Sequence, residues 1–135
     1  MKKNDLKRQY VELQLIDQQI KRLQQQLLIL EQQTLELAAL HAHLGSLEEV
    51  REKTKAYVTL GPGVFIEATL DEAKHVLVDV GAEVRVKKTI PETQKTIQEQ
   101  LHELQKVTKN MEEQITTFLT HAQKLQQEIE SKDSA

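Results

Sequence analysis

The sequence predicts an α+β fold: a long antiparallel two-helix coiled coil whose helices are joined by two β-hairpins. Every glycine and proline falls between Gly45 and Pro91, and the segments on either side, about 40 residues each, contain no residue that stops a helix. Between them lie short runs rich in β-branched residues. We expect one domain over residues 1–135, with helices over 4–45 and 89–131, a short helix over 46–54 and two hairpins over 55–88.

A seven-residue repeat runs through the first segment. Nine of the twelve positions in its two rows are apolar: Leu6, Leu13, Ile20, Leu27, Thr34 and His41 in one row, and Gln9, Ile16, Leu23, Leu30, Leu37 and Leu44 in the other. A repeat sustained over six heptads is typical of a coiled coil, because 3.5 residues per turn keep the stripe facing a partner helix. Gly45 predicts the end of this helix, and Ser46 with Glu49 predicts a capping box that starts a short one.

The last segment carries the same repeat. Ten of its twelve positions are apolar: Gln94, Leu101, Thr108, Ile115, Ala122 and Ile129 in one row, and Ile90, Ile97, Leu104, Met111, Phe118 and Leu125 in the other. Thr89, Pro91 and Glu92 place a capping residue, an early proline and a reciprocal carboxylate at its start. Neighbouring alignments of the two helices bury similar sets of leucines, so the pattern leaves the coiled-coil register open.

The middle of the chain predicts two hairpins. Residues alternate over Ala56–Leu60 and Val64–Leu70, which places Val58 and Ile66 on one face and Tyr57 and Phe65 on the other. Gly61, Pro62 and Gly63 fit a tight reversal between these strands. In the second hairpin Val76, Val78 and Val80 precede a two-residue turn that begins at Gly81, and Val84 and Val86 follow it. The turn glycines are therefore Gly61, Gly63 and Gly81.

Two hairpins alone are too small to be stable in water, and they leave strand edges and an apolar face open. We therefore expect these four strands to assemble with strands of partner chains into a shared barrel or sheet. The same open edges would also pair with copies of this chain, so a self-assembling scaffold or filament is the alternative.

Apolar residues outside the repeat lie near the free ends of the helices. Tyr10, Val11 and Leu15 lie near one end, and Leu119 lies near the other. Isolated exposed leucines are ordinary on protein surfaces. The alternative is that the helix ends offer an apolar surface to another molecule.

The two hairpins resemble those of α-class prefoldin subunits, most closely the archaeal form. The resemblance rests on two stretches, 60–68 (LGPGVFIEA) and 76–84 (VLVDVGAEV). It implies an ATP-independent chaperone subunit of a hexamer with two α-class and four β-class subunits, whose hairpins form a β-barrel body. Such a hexamer holds unfolded client proteins at the tips of its coiled coils and delivers them to a group II chaperonin.

Two sets of residues follow from this resemblance. By motif, the assembly residues are Tyr57, Val58, Leu60, Val64, Ile66, Val76, Val78, Val80, Val84 and Val86. The client-binding residues do not map by motif and are chosen by location and apolarity: Leu6, Tyr10, Val11, Leu13, Leu125 and Ile129.

Several other function classes lack their sequence features. A formal net charge of −3 argues against the clustered basic surface of a nucleic-acid binder, and no apolar run approaches a membrane span. Gly61-Pro62-Gly63 lacks the spacing of a phosphate-binding loop, and His41 and His43 point about 200° apart on a helix, unlike metal ligands four residues apart. The chain has no cysteine. We therefore expect no enzyme activity, no catalytic residue, no cofactor, no metal, no nucleic acid or membrane partner, and a cytoplasmic location.

Overall fold

A computed structural model describes residues 2–71 and 73–134, and it confirms the α+β fold. Its elements follow in the order α1 (Lys2–Glu48), β1 (Thr54–Gly61), β2 (Val64–Leu70), β3 (His75–Asp79), β4 (Arg85–Thr89) and α2 (Ile90–Ser134). The described residues form two compact units. We call residues 2–34 with 103–134 the terminal unit, and residues 35–71 with 73–102 the hairpin unit. Each long helix contributes to both.

The heptad rows predicted from the sequence are the faces that the helices bury. All twenty-four residues of the four rows are buried or half-buried, whereas most other helical positions are exposed. The polar members Gln9, Thr34, His41, Gln94 and Thr108 follow the same rule and are half-buried. The alignment that the sequence left open is given in the terminal unit by the cross-helix hydrogen bond between Gln9 and Glu128.

An aliphatic cluster forms the core of the terminal unit. Ile16 and Ile20 of α1 meet Ile115 and Leu125 of α2. Five partly buried residues pack against them: Leu13, Leu23, Leu27, Phe118 and Ala122. The helix segments run antiparallel here, since Gln9 near the start of α1 hydrogen-bonds to Glu128 near the end of α2.

The core of the hairpin unit is a second cluster, in which Leu44 of α1 meets Ile90 and Ile97 of α2. Five partly buried residues pack against it: Leu37, Leu47, Ala73, Val76 and Leu101. Val76 lies in β3, so this cluster anchors the start of the second hairpin to the helices.

The predicted end of the first helix at Gly45 is wrong, and so is the separate short helix over 46–54. α1 continues through Gly45 to Glu48. The Ser46 hydroxyl donates to the Ala42 carbonyl (3.3 Å) within the helix, so it does not act as a cap. A glycine inside a helix costs about 1 kcal/mol relative to alanine, and the packing of Leu47 against the second cluster offsets this cost.

The predicted cap of the last helix is confirmed. The Glu92 N–H donates to Thr89 Oγ1 (3.2 Å), and the Thr89 N–H donates to Glu92 Oε2 (3.4 Å). These reciprocal bonds make a capping box, which satisfies two amides that a helix start would otherwise leave unpaired. β4 ends at Thr89 and α2 begins at Ile90, so the cap converts strand into helix without a linker.

The first hairpin pairs β1 with β2, and the two faces that the alternation predicted are confirmed. Val58 lies opposite Ile66 and Tyr57 opposite Glu67. Gly61 pairs with Val64, so the reversal is Pro62-Gly63, and the pairing is irregular between Thr59 and Gly61. Gly63 has a φ of 75°, which suits glycine after a proline in a tight turn. Gly61 is not among the residues with positive φ, so of the two glycines at this turn only Gly63 takes the left-handed conformation.

The second hairpin pairs β3 with β4, and Val78 lies opposite Val86. Its turn is one residue longer than the predicted two. The Val80 N–H donates to the Val84 carbonyl (3.0 Å), which leaves Gly81, Ala82 and Glu83 in the loop. All three have positive φ (102°, 50° and 62°). The Gly81 N–H also donates to Asp79 Oδ1 (3.1 Å), which fixes the start of the turn.

The heptad rows that the two helices bury form a seam between them. Leu44 and Leu35 offer a matched test of this buried seam. Leu44 is 4% exposed and Leu35 is 72% exposed, and both lie on α1 within the hairpin unit. We expect Leu44→Ala to lower the free energy of unfolding by about 2–5 kcal/mol, because it leaves a cavity. Leu35→Ala should change it by less than about 0.5 kcal/mol. Urea unfolding at one fixed protein concentration measures both, and equal losses would contradict the assigned seam.

Candidate functional site

The candidate site is a set of exposed apolar surfaces. The first lies on both faces of the hairpin β1–β2. Val58 and Ile66 are 44% and 52% exposed on one face, and Tyr57 and Phe65 are 74% and 62% exposed on the other. A sheet with one solvated face usually carries polar residues there. This hairpin has large apolar residues on both faces, so a single packed layer would cover only half of its apolar surface.

The second surface lies on the hairpin β3–β4. Val76 and Val78 are half-buried, whereas Val80, Val84 and Val86 nearer the turn are exposed. A groove of about 500 Å³ runs between this hairpin and the helices of the hairpin unit. Leu40, Leu44, Val76, Val78 and Ile97 are among its lining residues. The apolar face of the hairpin is therefore only partly covered by the chain's own helices.

Strand edges form the third element of the site. Among the described residues, β1 pairs only with β2 and β3 only with β4, so they make two separate two-stranded sheets. Each strand therefore keeps one edge of backbone N–H and C=O groups without a strand partner. Such an edge is a template for another strand.

The predicted assembly residues all lie in or next to these hairpins. Eight of the ten are exposed, and Val76 and Val78 are half-buried. Their role in assembly remains a prediction. The structure adds Phe65 and Leu77, at 62% and 69% exposure. The signal was present in the sequence, since both are large apolar residues at the alternate positions of strands, but neither was among the residues chosen by motif.

A separate apolar patch lies in the terminal unit near the start of α1. Tyr10, Val11 and Leu15 are about half exposed. Val11 and Leu15 are four residues apart and share a helix face. Of the predicted client-binding residues, only Tyr10 and Val11 are exposed in this way.

The other four predicted client-binding residues face the seam. Leu6 and Leu13 are half-buried, and Leu125 and Ile129 are only 5% and 1% exposed. Leu125 belongs to the core cluster of the terminal unit, and Leu13 packs against that cluster. Their role in client binding remains a prediction, and the closed helix pair does not present Leu125 or Ile129 to another molecule.

Polar contacts join the two helices beside these residues. Gln9 Nε2 donates to Glu128 Oε2 (2.9 Å), and Lys132 Nζ donates to Gln9 Oε1 (3.2 Å). Three residues further along α1, Glu12 Oε1 lies 3.6 Å from His121 Nε2. These contacts are exposed, where an ion pair contributes roughly 0–1 kcal/mol.

The described parts of the chain also bear on metal binding and on membrane spanning. Over 2–71 and 73–134, no three His, Asp or Glu side chains come together in a way that would hold a metal ion. No helix in the same ranges is both long and apolar enough to cross a membrane.

Comparison with known proteins gives the family. The profile described as "Prefoldin subunit" matches residues 16–134. Curated relatives include "Prefoldin subunit alpha" of Methanococcus aeolicus, 27% identical over 97% of this chain and 89% of the relative. The corresponding subunit of Archaeoglobus fulgidus is 26% identical over 89% of this chain and 88% of the relative. The chain belongs to the prefoldin family, whose members are chaperone subunits.

A solved structure shares the fold. It is a chain from the cryo-EM structure of filamentous PFD from Methanocaldococcus jannaschii. The TM-score is 0.71 at 22% identity, and the match covers 93% of this chain and 98% of the other. The layout of two long helices and two hairpins is therefore that of a known prefoldin structure.

A pair of lysine substitutions tests whether the hairpin faces carry assembly. Val58→Lys with Ile66→Lys places two like charges opposite each other on one exposed face, where they oppose apolar packing. We expect this variant to lose association with a β-class prefoldin subunit in size-exclusion chromatography, with helical circular dichroism retained. The control is Leu28→Lys with Ile29→Lys on α1, where both side chains are similarly exposed. Equal loss of association in both variants would contradict the assignment of the interface to the hairpin faces.

Proposed function

We propose that this chain is the α-class subunit of a prefoldin hexamer that holds unfolded proteins without ATP and delivers them to a group II chaperonin. Membership of the prefoldin family supports the chaperone class. The observation that carries the proposal further is the exposure of apolar surface in two separate places, on the hairpins and near the start of α1. A cytoplasmic location remains a prediction from composition.

The hairpin surfaces supply the assembly function. Both faces of β1–β2 expose large apolar side chains, and all four strands keep an open edge. Pairing with strands of β-class subunits would satisfy these edges and bury the apolar faces in one step. Two α-class and four β-class subunits sharing a β-barrel body is the arrangement that we propose.

The patch near the start of α1 supplies the client-binding function. Tyr10, Val11 and Leu15 offer a few apolar side chains, which is too small a surface for tight binding by one subunit. Several subunits that present such patches together would hold one client through linked weak contacts. Weak contacts of this kind also let the client leave without nucleotide hydrolysis.

A second candidate is a self-assembling filament or scaffold. The open edges and apolar faces of the hairpins would pair with copies of this chain as well as with β-class partners. The solved structure with the same fold is of a filamentous PFD. Electron microscopy of the chain purified alone separates the two candidates, since long assemblies favour the filament and their absence favours the hexamer.

Light scattering tests client holding directly. A chemically denatured client is diluted, without ATP, into the chain co-assembled with a β-class prefoldin subunit. We expect suppression of aggregation at about one hexamer per client, because several patches act on one chain. Tyr10→Ser with Val11→Ser should weaken suppression several-fold by removing exposed apolar surface.

The control for this variant is Leu28→Ser with Ile29→Ser. These residues are also exposed on α1 within the terminal unit, at 66% and 59%, but lie about five turns from Tyr10 and Val11. Their replacement should leave suppression unchanged. If a correctly assembled hexamer suppresses nothing, the holding function is wrong and the filament becomes the better account.

A further inference from the structure

The four strands carry a charge balance opposite to that of the whole chain. The chain has a formal net charge of −3, whereas the strands hold more cations than anions. Their charged residues are four cations and two carboxylates: Lys55, Arg85, Lys87, Lys88, Glu67 and Asp79. Three of the four cations fall within the five residues of β4, which contains no carboxylate.

The cations of β4 lie on both faces of the second hairpin. Lys87 lies opposite Leu77, which is 69% exposed, and Arg85 is two residues away on the same face. Lys88 lies opposite Val76, on the face that packs against the helices, and it lines the groove between this hairpin and the helices. A strand that approached β4 would therefore meet positive charge on either face.

No anion of the hairpin unit balances these cations. Within the described residues, none of the three forms an ion pair. Asp79 lies opposite Arg85, but its carboxylate already accepts a hydrogen bond from the Gly81 N–H (3.1 Å). Lys55 in the first hairpin is different, because it forms an ion pair with Glu67 on the neighbouring strand (3.5 Å).

The free edge of β4 is unsuited to a second copy of this chain. Each strand of the two-stranded sheet has one edge without a strand partner. Two β4 strands paired at that edge would bring their cations together, and like charges opposite each other destabilise a strand pair. Lysine on an edge strand is a common barrier to edge-to-edge association. Of the described strands, only β2 and β3 carry a carboxylate, and both carboxylates are already engaged.

We propose that the free edge of β4 pairs with a strand that carries acidic side chains and comes from a different subunit, not from a second copy of this chain. Side chains of such a strand would lie about 4.5–5.5 Å from those directly opposite on β4. Carboxylates at alternate positions would pair with Arg85 and Lys87, and one on the other face would pair with Lys88. The groove beside Lys88, of about 500 Å³, has room for an apolar side chain of the same strand.

This inference rests on the proposed hexamer and adds the chemistry by which the second hairpin selects its partner. The first hairpin has no such preference, because its one cation and one carboxylate already pair with each other. Selection between a different subunit and a second copy is therefore assigned to β4.

Neutralising the edge tests this selection. The edge variant combines Arg85→Gln, Lys87→Gln and Lys88→Gln, which removes the charge and keeps long polar side chains. The control variant removes three exposed lysines of α2 and so makes the same change in net charge: Lys95→Gln, Lys109→Gln and Lys124→Gln. Fluorescence anisotropy of a labelled β-class prefoldin subunit measures the dissociation constant of each at low and high NaCl, and circular dichroism checks that each is folded.

We expect the edge variant to bind the β-class subunit roughly tenfold more weakly at low salt, because three opposite-charge pairs are lost. Its affinity should also depend less on salt than that of the unmodified chain, since salt screens charges. The control variant should keep the affinity and the salt dependence of the unmodified chain. Equal affinities of the two variants would overturn the acidic partner and leave the hexamer in place. Failure of the unmodified chain to bind the β-class subunit would overturn the hexamer, and the acidic partner with it.

The same variants purified alone test the exclusion of a second copy. Removal of like charges from the edge of β4 should raise the self-associated fraction several-fold in sedimentation velocity at one fixed concentration. The control variant should self-associate no more than the unmodified chain. An edge variant that gains no self-association would contradict the exclusion, because the charges would then not be what keeps two copies apart.

Discussion

The open hairpins are the constraint on which the rest of this structure depends. A two-stranded hairpin satisfies half of its backbone edges, and the chain supplies no third strand to either one within the described residues. Tyr57 and Phe65 on one face and Val58 and Ile66 on the other leave the first hairpin with no face suited to water. The two helices do not cover these faces of the first hairpin, because their apolar stripes already pack against each other. Association with other subunits is the physical consequence.

The helix pair is built so that its stability is uneven along the seam. In the terminal unit apolar side chains fill the layers from Ile16 to Leu27, with Phe118 and Ala122 contributing from α2, whereas Gln9 interrupts the apolar rows nearer the ends. The outer layer is held by exposed hydrogen bonds that water can replace.

Most of the fold could be predicted from patterns of residues that are close together in the sequence. Among the described residues, heptad rows identified every buried position of both helices except Thr93, and Thr89 with Glu92 identified the start of α2, because each signal depends on neighbours in the sequence. The sequence pattern did not predict the end of α1 correctly. Gly45 favours the end of a helix, but the packing of Leu47 against residues of α2, which are distant in sequence, outweighs that preference. The length of the turn at Gly81 was underestimated by one residue, because Ala82 and Glu83 also take positive φ. Alanine and glutamate do not favour that conformation, so their identity gave no signal for it. The hairpins came from motif and alternation. Leu125 and Ile129 belong to the heptad rows, so their burial was predictable, and their choice as client contacts by location and apolarity conflicted with that pattern.

Both hairpins are expected to need strands from partner subunits. Sedimentation velocity of the chain at micromolar concentration, alone and mixed with a β-class prefoldin subunit, measures this most directly when read beside circular dichroism. We expect no folded monomer at equilibrium, and a single species of the mass of two α-class and four β-class subunits in the mixture. A fully folded monomer that ignores the partner would contradict the account, because it would show that the exposed faces and edges of both hairpins are stable in water.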